Sequence, residues 1–185
     1  MKVTLDQIER FTPCFGWDEL YKFLGPDFPK DRKFSVTKIA KTNSVFDTFE
    51  ILHEIMEPEA LKKLAVEFSC ECAERVLPVF EARFPENDVP RKAISAARAW
   101  LADPTEDNRL AAKASRSAVK DFFWEADQDE SCDWEAAREA ARDAGYAADA
   151  AYDGSWKSAE LIAIWEERWQ RNILIKLREA QCIET

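Results

Sequence analysis

The sequence predicts an all-α fold, a single-domain array of about seven or eight mostly antiparallel helices with a small helical appendage at the N-terminus. Three observations predict it. Apolar residues recur at intervals of three and four along most of the chain. Proline, glycine and cap residues punctuate those stretches. No segment shows the period-two alternation of a half-buried strand. With 185 residues, 46% of them hydrophobic, and with twelve Phe and seven Trp, the chain has enough apolar surface to offset the entropy of ordering it.

The elements follow in order. Thr4 and Gln7 form a capping box ahead of a short helix, Leu5–Phe11, which stops at Thr12-Pro13 because the residue before proline avoids the α region. A second short helix covers residues 17–24. Gly25-Pro26-Asp27-Phe28-Pro29 is the densest cluster of breakers, and the basic run Lys30, Arg32, Lys33 after it reads as a surface loop. Residues 1–42 are therefore expected to form the appendage and residues 43–185 the core domain. Asn43 or Ser44 caps a third helix, with Val45, Phe46, Phe49, Leu52 and Met56 at helical spacing.

Pro58 opens the next helix, where Leu61, Leu64, Ala65, Phe68, Cys72, Val76, Val79 and Phe80 share one stripe. Val66, Cys70, Ala73, Leu77 and Phe84 form a second row, and only Glu67, Glu71, Glu74 and Glu81 remain as a polar strip, so this helix should be central. Pro78 removes the hydrogen bond to the Glu74 carbonyl and is expected to kink it. A turn fixed by Pro85 and Pro90 leads to an alanine-rich helix over residues 91–101, with Ile94, Ala97 and Trp100 or Leu101 inward. After Asp103-Pro104-Thr105, a helix over residues 105–125 offers Leu110, Ala111, Ala114, Ala118, Phe122 and Phe123 to the core. The next, over residues 133–152, has Ala137, Ala141, Ala144, Ala148 and Ala151 as a smooth face that another helix can approach closely. Ser155 caps a last helix striped by Ile162, Trp165, Trp169, Ile173 and Leu177.

Composition narrows the function. Acids outnumber bases 36 to 26, and a net charge of -10 repels phosphate backbones and anionic headgroups, which argues against direct nucleic-acid or membrane binding. No apolar run reaches the ~20 residues of a membrane span. Cys14, Cys70, Cys72, Cys132 and Cys182 are odd in number and Met1 to Arg10 is charged throughout, so reduced thiols in the cytoplasm are expected. Cys70 and Cys72, two apart on a helix, point about 200° apart and read as small buried apolar groups.

Catalytic and metal-binding residues are assigned to none of the chain, and no cofactor is expected. The single histidine, His53, forms Glu-x-x-His with Glu50, but a di-iron bundle needs two such pairs. The run Asp127, Asp129, Ser131, Asp133, Glu135 begins like a calcium loop, yet Cys132 stands where glycine should and Arg138 where glutamate should. Gly16, Gly25, Gly145 and Gly154 are too scattered for a phosphate loop. A helical small-molecule enzyme with a carboxylate-lined pocket remains the contrary reading.

What stands out is charge placement. Residues 125–153 carry ten acids and two bases. A solvated helix face accounts for this, since acids favour helix N-termini. The functional alternative is a docking surface for a basic protein partner, formed by Asp127, Asp129, Glu130, Asp133, Glu135 and Glu139 with Trp124 and Trp134 as aromatic anchors.

The stretch from Cys72 to Pro85 (Cys-Ala-Glu-Arg-Val-Leu-Pro-Val-Phe-Glu-Ala-Arg-Phe-Pro) and that from Pro90 to Trp100 (Pro-Arg-Lys-Ala-Ile-Ser-Ala-Ala-Arg-Ala-Trp) resemble a family of immunity proteins. Its members are associated with bacterial polymorphic toxin systems and occur, uncharacterised, in phage genomes. The resemblance implies an all-α scaffold that neutralises a toxin or effector by binding it. The alternative it leaves open is a phage-encoded inhibitor of a host defence nuclease, such as a CRISPR effector, acting by acidic mimicry of nucleic acid. The residues that carry the resemblance read as structural: Pro78, Pro85 and Pro90 set backbone direction, Trp100 packs inward, and Arg91 and Arg98, seven apart on one face, can pair with acids of a neighbouring helix. The oligomeric state is left open, a homodimer included.

Overall fold

A computed structural model describes residues 1–11, 17–126 and 135–153. Among them are eight helices and one pair of two-residue strands. The stretch predicted as the last helix, and residues 127–134 with the predicted start of the preceding helix at residue 133, lie outside the described residues. The chain divides into two compact units, the first containing residues 1–61 and the second beginning at Lys62.

In the first unit, β1 (Lys2–Val3) pairs antiparallel with β2 (Phe34–Ser35), Val3 opposite Phe34. Neither strand was foreseen, because two residues are too short for alternation to register. Between them lie α1 (Leu5–Phe11) and α2 (Trp17–Leu24), with the bounds the sequence indicated. The Thr4 amide donates to Gln7 Oε1 at 2.9 Å and the Gln7 amide to Thr4 Oγ1 at 3.2 Å, completing the capping box. Gly25 terminates α2 at φ 95°, a left-handed conformation that glycine adopts without penalty, and its amide reaches the Tyr21 carbonyl at 2.9 Å. Lys30 ties the following loop back to α1, its carbonyl accepting from the Asp6 amide and its ammonium meeting Glu9 at 2.6 Å.

A helix the sequence reading missed, α3 (Thr37–Thr42), ends at Asn43, whose amide bonds to the Ile39 carbonyl. Ser44 is thus the cap of α4 (Val45–Ile55): its Oγ accepts from the Asp47 amide at 3.0 Å while Asp47 accepts from the Ser44 amide at 3.2 Å. Replacing Ser44 by alanine leaves the Asp47 amide without its side-chain acceptor and should cost about 1 kcal/mol in urea unfolding. α4 packs on α1 and on α3, with Leu5, Ile8, Ile39, Phe49, Ile51 and Leu52 fully buried.

The second unit takes α5 (Pro58–Arg83) from Lys62 onward, with α6 (Val89–Ala102), α7 (Glu106–Ala126) and α8 (Glu135–Asp153). Each of α6, α7 and α8 packs on the other two. One core cluster joins Val66, Cys70, Ala73 and Leu77 of α5 to Ala93, Ile94, Ala97 and Trp100 of α6, Ala112 and Val119 of α7, and Ala144, Ala147, Ala148 and Ala151 of α8. Pairings show the directions. Glu81 meets Arg91 while Glu74 and Glu71 meet Arg98, so α5 and α6 are antiparallel. Arg109 meets Tyr152 and Arg116 meets Asp149, so α7 and α8 are antiparallel too.

Three details correct the sequence reading. On α7 the face toward the core holds Ala112 and Val119 with Ser115 and Phe122 half-buried, whereas Leu110, Ala111, Ala114 and Ala118 are exposed. Alanines at positions 111, 112, 114 and 118 surround the helix and carry no direction; the bulkier Val119 and Phe122 set the face. On α5, Val79 is 46% exposed although Cys72, on the same side, is buried, because the covered arc narrows after Arg75 to the side of Leu77 and Phe80. And α6 starts at Val89 rather than at residue 91, with Pro90 buried in its first turn, where a missing N–H has no intrahelical bond to lose. α5 is unbroken through Pro78, which lies on an exposed side where water can reach the Glu74 carbonyl.

Candidate functional site

The polar strip of α5 faces the arginines of α6. Arg98 Nε donates to Glu74 Oε1 at 2.9 Å, and its Nη2 donates to Glu74 Oε2 at 2.7 Å and to Glu71 Oε1 at 2.6 Å. This fork-on-carboxylate geometry is the strong form of an ion pair. The bonds to Glu74 and then to Glu71 raise the Arg98 pKa further, against the opposing effect of burial. Two turns away, Arg91 Nε donates to Glu81 at 2.7 Å. These bonds lock the two helices in register rather than leaving a reactive carboxylate pair. Pro85 is exposed in the turn before α6, and Trp100 is 3% exposed, with the Lys62 ammonium 4.4 Å above its ring.

Glu67, next along the strip, has its carboxyl pKa raised, chiefly by burial and secondarily by Glu71, with Arg98 opposing. A raised folded-state pKa favours the folded protein while the group is protonated, and that advantage is lost as pH rises through it. Glu67→Gln should therefore be more stable than the parent at pH 7, the difference vanishing below the ordinary carboxylate range. Thermal unfolding of both proteins across that range measures it.

Cys70 and Cys72 are 0% and 2% exposed. Burial pushes the Cys70 thiol up to about 12, and burial, with the Asp143 carboxylate nearby, pushes Cys72 higher still. Neither is a nucleophile at neutral pH. Mass-spectrometric mapping after iodoacetamide treatment should find both unlabelled in the native protein and labelled in urea. Cys14, Cys132 and Cys182 lie outside the described residues.

Among the described residues no group of three or more His, Cys, Asp or Glu is placed to hold a metal ion. His53 is 54% exposed with Nδ1 3.5 Å from Glu54. Of the expected partner-binding residues, Asp127, Asp129, Glu130, Asp133 and Trp134 lie outside the described residues. Trp124 falls within the last turn of α7, and Glu135 and Glu139 within the first turns of α8. Two acids of the same stretch are not on an open face: Asp143 is 6% exposed, and Asp149 accepts from Arg116 Nε at 2.6 Å.

Sequence reasoning missed two features of the α7–α8 pair. At the end of α8, Arg109 and Lys113 each stand 4.8 Å over the Tyr152 ring, and Arg109 Nη1 donates to the Tyr152 carbonyl at 3.4 Å, satisfying one terminal carbonyl of the helix. Midway along the pair, Gly145 lets α8 approach α7 so closely that an added Cβ would lie 3.1 Å from Val119 Cγ1. Beside this contact is a pocket of about 160 Å³ lined by Arg116, Val119 and Lys120 of α7 and by Arg142, Gly145 and Tyr146 of α8. The i, i+4 spacing of Arg116 with Lys120 and of Arg142 with Tyr146 was visible in the sequence. Their convergence was not.

A family model described as Imm-5 like putative immunity protein matches residues 58–151, just over half of the 185-residue chain. The match opens on the first residue of α5 and closes two residues before the end of α8, so it spans the four helices that share the core. It also contains both stretches, Cys72 to Pro85 and Pro90 to Trp100, on which the resemblance rested. No curated protein and no solved structure matches the chain. By the extent of the family match and the helices it covers, the chain belongs to the Imm-5 like immunity protein family.

Proposed function

We propose that the protein is a non-enzymatic inhibitor that neutralises a toxin or effector enzyme by binding it. The family match across α5–α8 carries this reading. Two features of the chain support it. Three acids of the α5 strip, Glu71, Glu74 and Glu81, are held by Arg91 and Arg98, and the cysteines of α5 are buried, so these conspicuous candidates for chemistry serve packing. The charge of -10 favours a partner with a basic surface, as nucleases have around their nucleic-acid clefts.

The partner-binding surface is assigned to the acidic segment between α7 and α8: Trp124, Asp127, Asp129, Glu130, Asp133, Trp134, Glu135 and Glu139. Carboxylates steer a basic partner into encounter, and the two tryptophans supply apolar anchors within the charged rim. The protein acts in the cytoplasm under this proposal, where its thiols stay reduced. Affinity capture from the source cells, followed by reconstitution with the purified partner, tests the reading. The expected result is a stoichiometric complex with one protein that has a basic surface. Recovery of nucleic acid alone, or of no stoichiometric partner, would overturn it.

A further inference from the structure

The chain is acidic as a whole, yet residues 22–41 run the other way, with six bases against two acids. They span the end of α2, the loop after it, β2 and most of α3. Carboxylates hold two of the six: Lys22 meets Glu19 and Lys30 meets Glu9, each at 2.6 Å. Arg32 stands 5.5 Å over the Phe28 ring and Lys38 stands 5.6 Å over the Phe23 ring. These contacts position the two cations and leave their N–H donors for other acceptors. Lys33 and Lys41 are exposed, and neither has an ion-pair partner among the described residues. The Phe23 ring is itself 51% exposed, so the surface is aromatic as well as cationic. Like charges gathered with few acids between them repel, and a covering of carboxylates relieves that repulsion.

We infer that this surface docks on residues 125–139 of a second copy of the chain, where seven acids accompany one base. The two copies do so reciprocally, as a two-fold dimer in which the basic stretch of each meets the acidic stretch of the other. Charge complementarity selects this occupant: +4 on one stretch, -6 on the other. Trp124 and Trp134 of the acidic stretch add apolar surface that the exposed Phe23 ring can cover. Twenty residues on one stretch and fifteen on the other suffice for the about 20–30 a side of a standard interface. Nucleic acid would meet the same cations, but the net charge of -14 on the rest of the chain repels it at long range. The dimer rests, as the inhibitor reading does, on the acidic segment being an open surface. It is measured with no partner present, so its failure is distinguishable from the failure of that reading.

Sedimentation velocity of the full chain tests it. At about 50 mM salt the chain should form a dimer, and its dissociation constant should rise at least about tenfold at about 500 mM. Arg32→Glu, Lys33→Glu and Lys41→Glu together alter exposed positions, so the parent's circular dichroism spectrum should persist while the dimer is lost. Asp127→Lys, Asp129→Lys, Glu130→Lys and Asp133→Lys together should also give a monomer. Mixing the two variants should restore a dimer, because in that pair every basic stretch, native or reversed, meets its opposite. A parent that is monomeric at low salt, a dimer indifferent to salt, or a mixture that stays monomeric would overturn the inference. So would a monomer that binds a fluorescent single-stranded oligonucleotide and loses it in the Arg32, Lys33 and Lys41 variant, which would give the surface to nucleic acid.

Discussion

Trp100→Ala is expected to destabilise the second unit by about 3–5 kcal/mol, the range for removing a large aromatic ring from a packed core. The ring is 3% exposed within the cluster that joins α5, α6, α7 and α8, so its loss opens a cavity bordered by all four helices. Its interaction with the Lys62 ammonium at 4.4 Å is lost as well. Domains of this size usually hold together by about 5–15 kcal/mol, so one substitution would remove at least about a fifth of the total. Urea unfolding followed by circular dichroism gives the value. Leu101→Ala, at a half-buried neighbour, is the comparison and should cost clearly less. Equal costs at the two positions would show that the core does not centre on Trp100.

The second large effect concerns partner capture and follows from the proposed acidic surface. Replacing Asp127, Asp129, Glu130 and Asp133 together by lysine changes the local charge by eight units. Association with a basic partner should then slow by about ten- to a hundredfold at low salt, converging on the parent as ionic strength shortens the screening length. Dissociation should change less. The acids of α5 might be thought a natural control, but Glu71 and Glu74 hold Arg98 and Glu67 is half-buried, so reversing them would damage the fold. Exposed acids elsewhere, Asp27, Asp31, Glu86 and Asp107, make the better control, and their reversal should slow association less. Stopped-flow measurement of both variants decides: equal slowing means that net charge alone acts, and no slowing means that the acidic segment is a solvated face.

Helix ends were legible wherever a side chain closes them. Thr4 with Gln7, Ser44 near Asp47 and Pro58 before its apolar run each state a boundary in local chemistry, and the structure places helix starts there. That Arg91 and Arg98 pair with acids of a neighbouring helix was also legible from their spacing, and the structure supplies the partners, Glu81, Glu74 and Glu71 of α5. What escaped was whatever depends on register between helices. Alanine at 111, 112, 114 and 118 gives α7 no preferred face until α8 is in place. Asp143 looks like part of an acidic surface but is buried beside Cys72. The pocket of Arg116, Lys120, Arg142 and Tyr146 lies beside the close approach of Gly145 to Val119, a tertiary contact with no local signature.

The account's central claim is neutralisation by binding, and titration of the isolated partner's enzymatic activity with this protein tests it most directly. The account predicts a linear loss of activity that ends at a fixed molar ratio, is unaffected by a chelator of divalent metals, leaves the partner's mass unchanged and is reversed when the complex is separated. Inactivation by catalytic amounts of this protein, a covalent change in the partner, or full partner activity within the stoichiometric complex would contradict it.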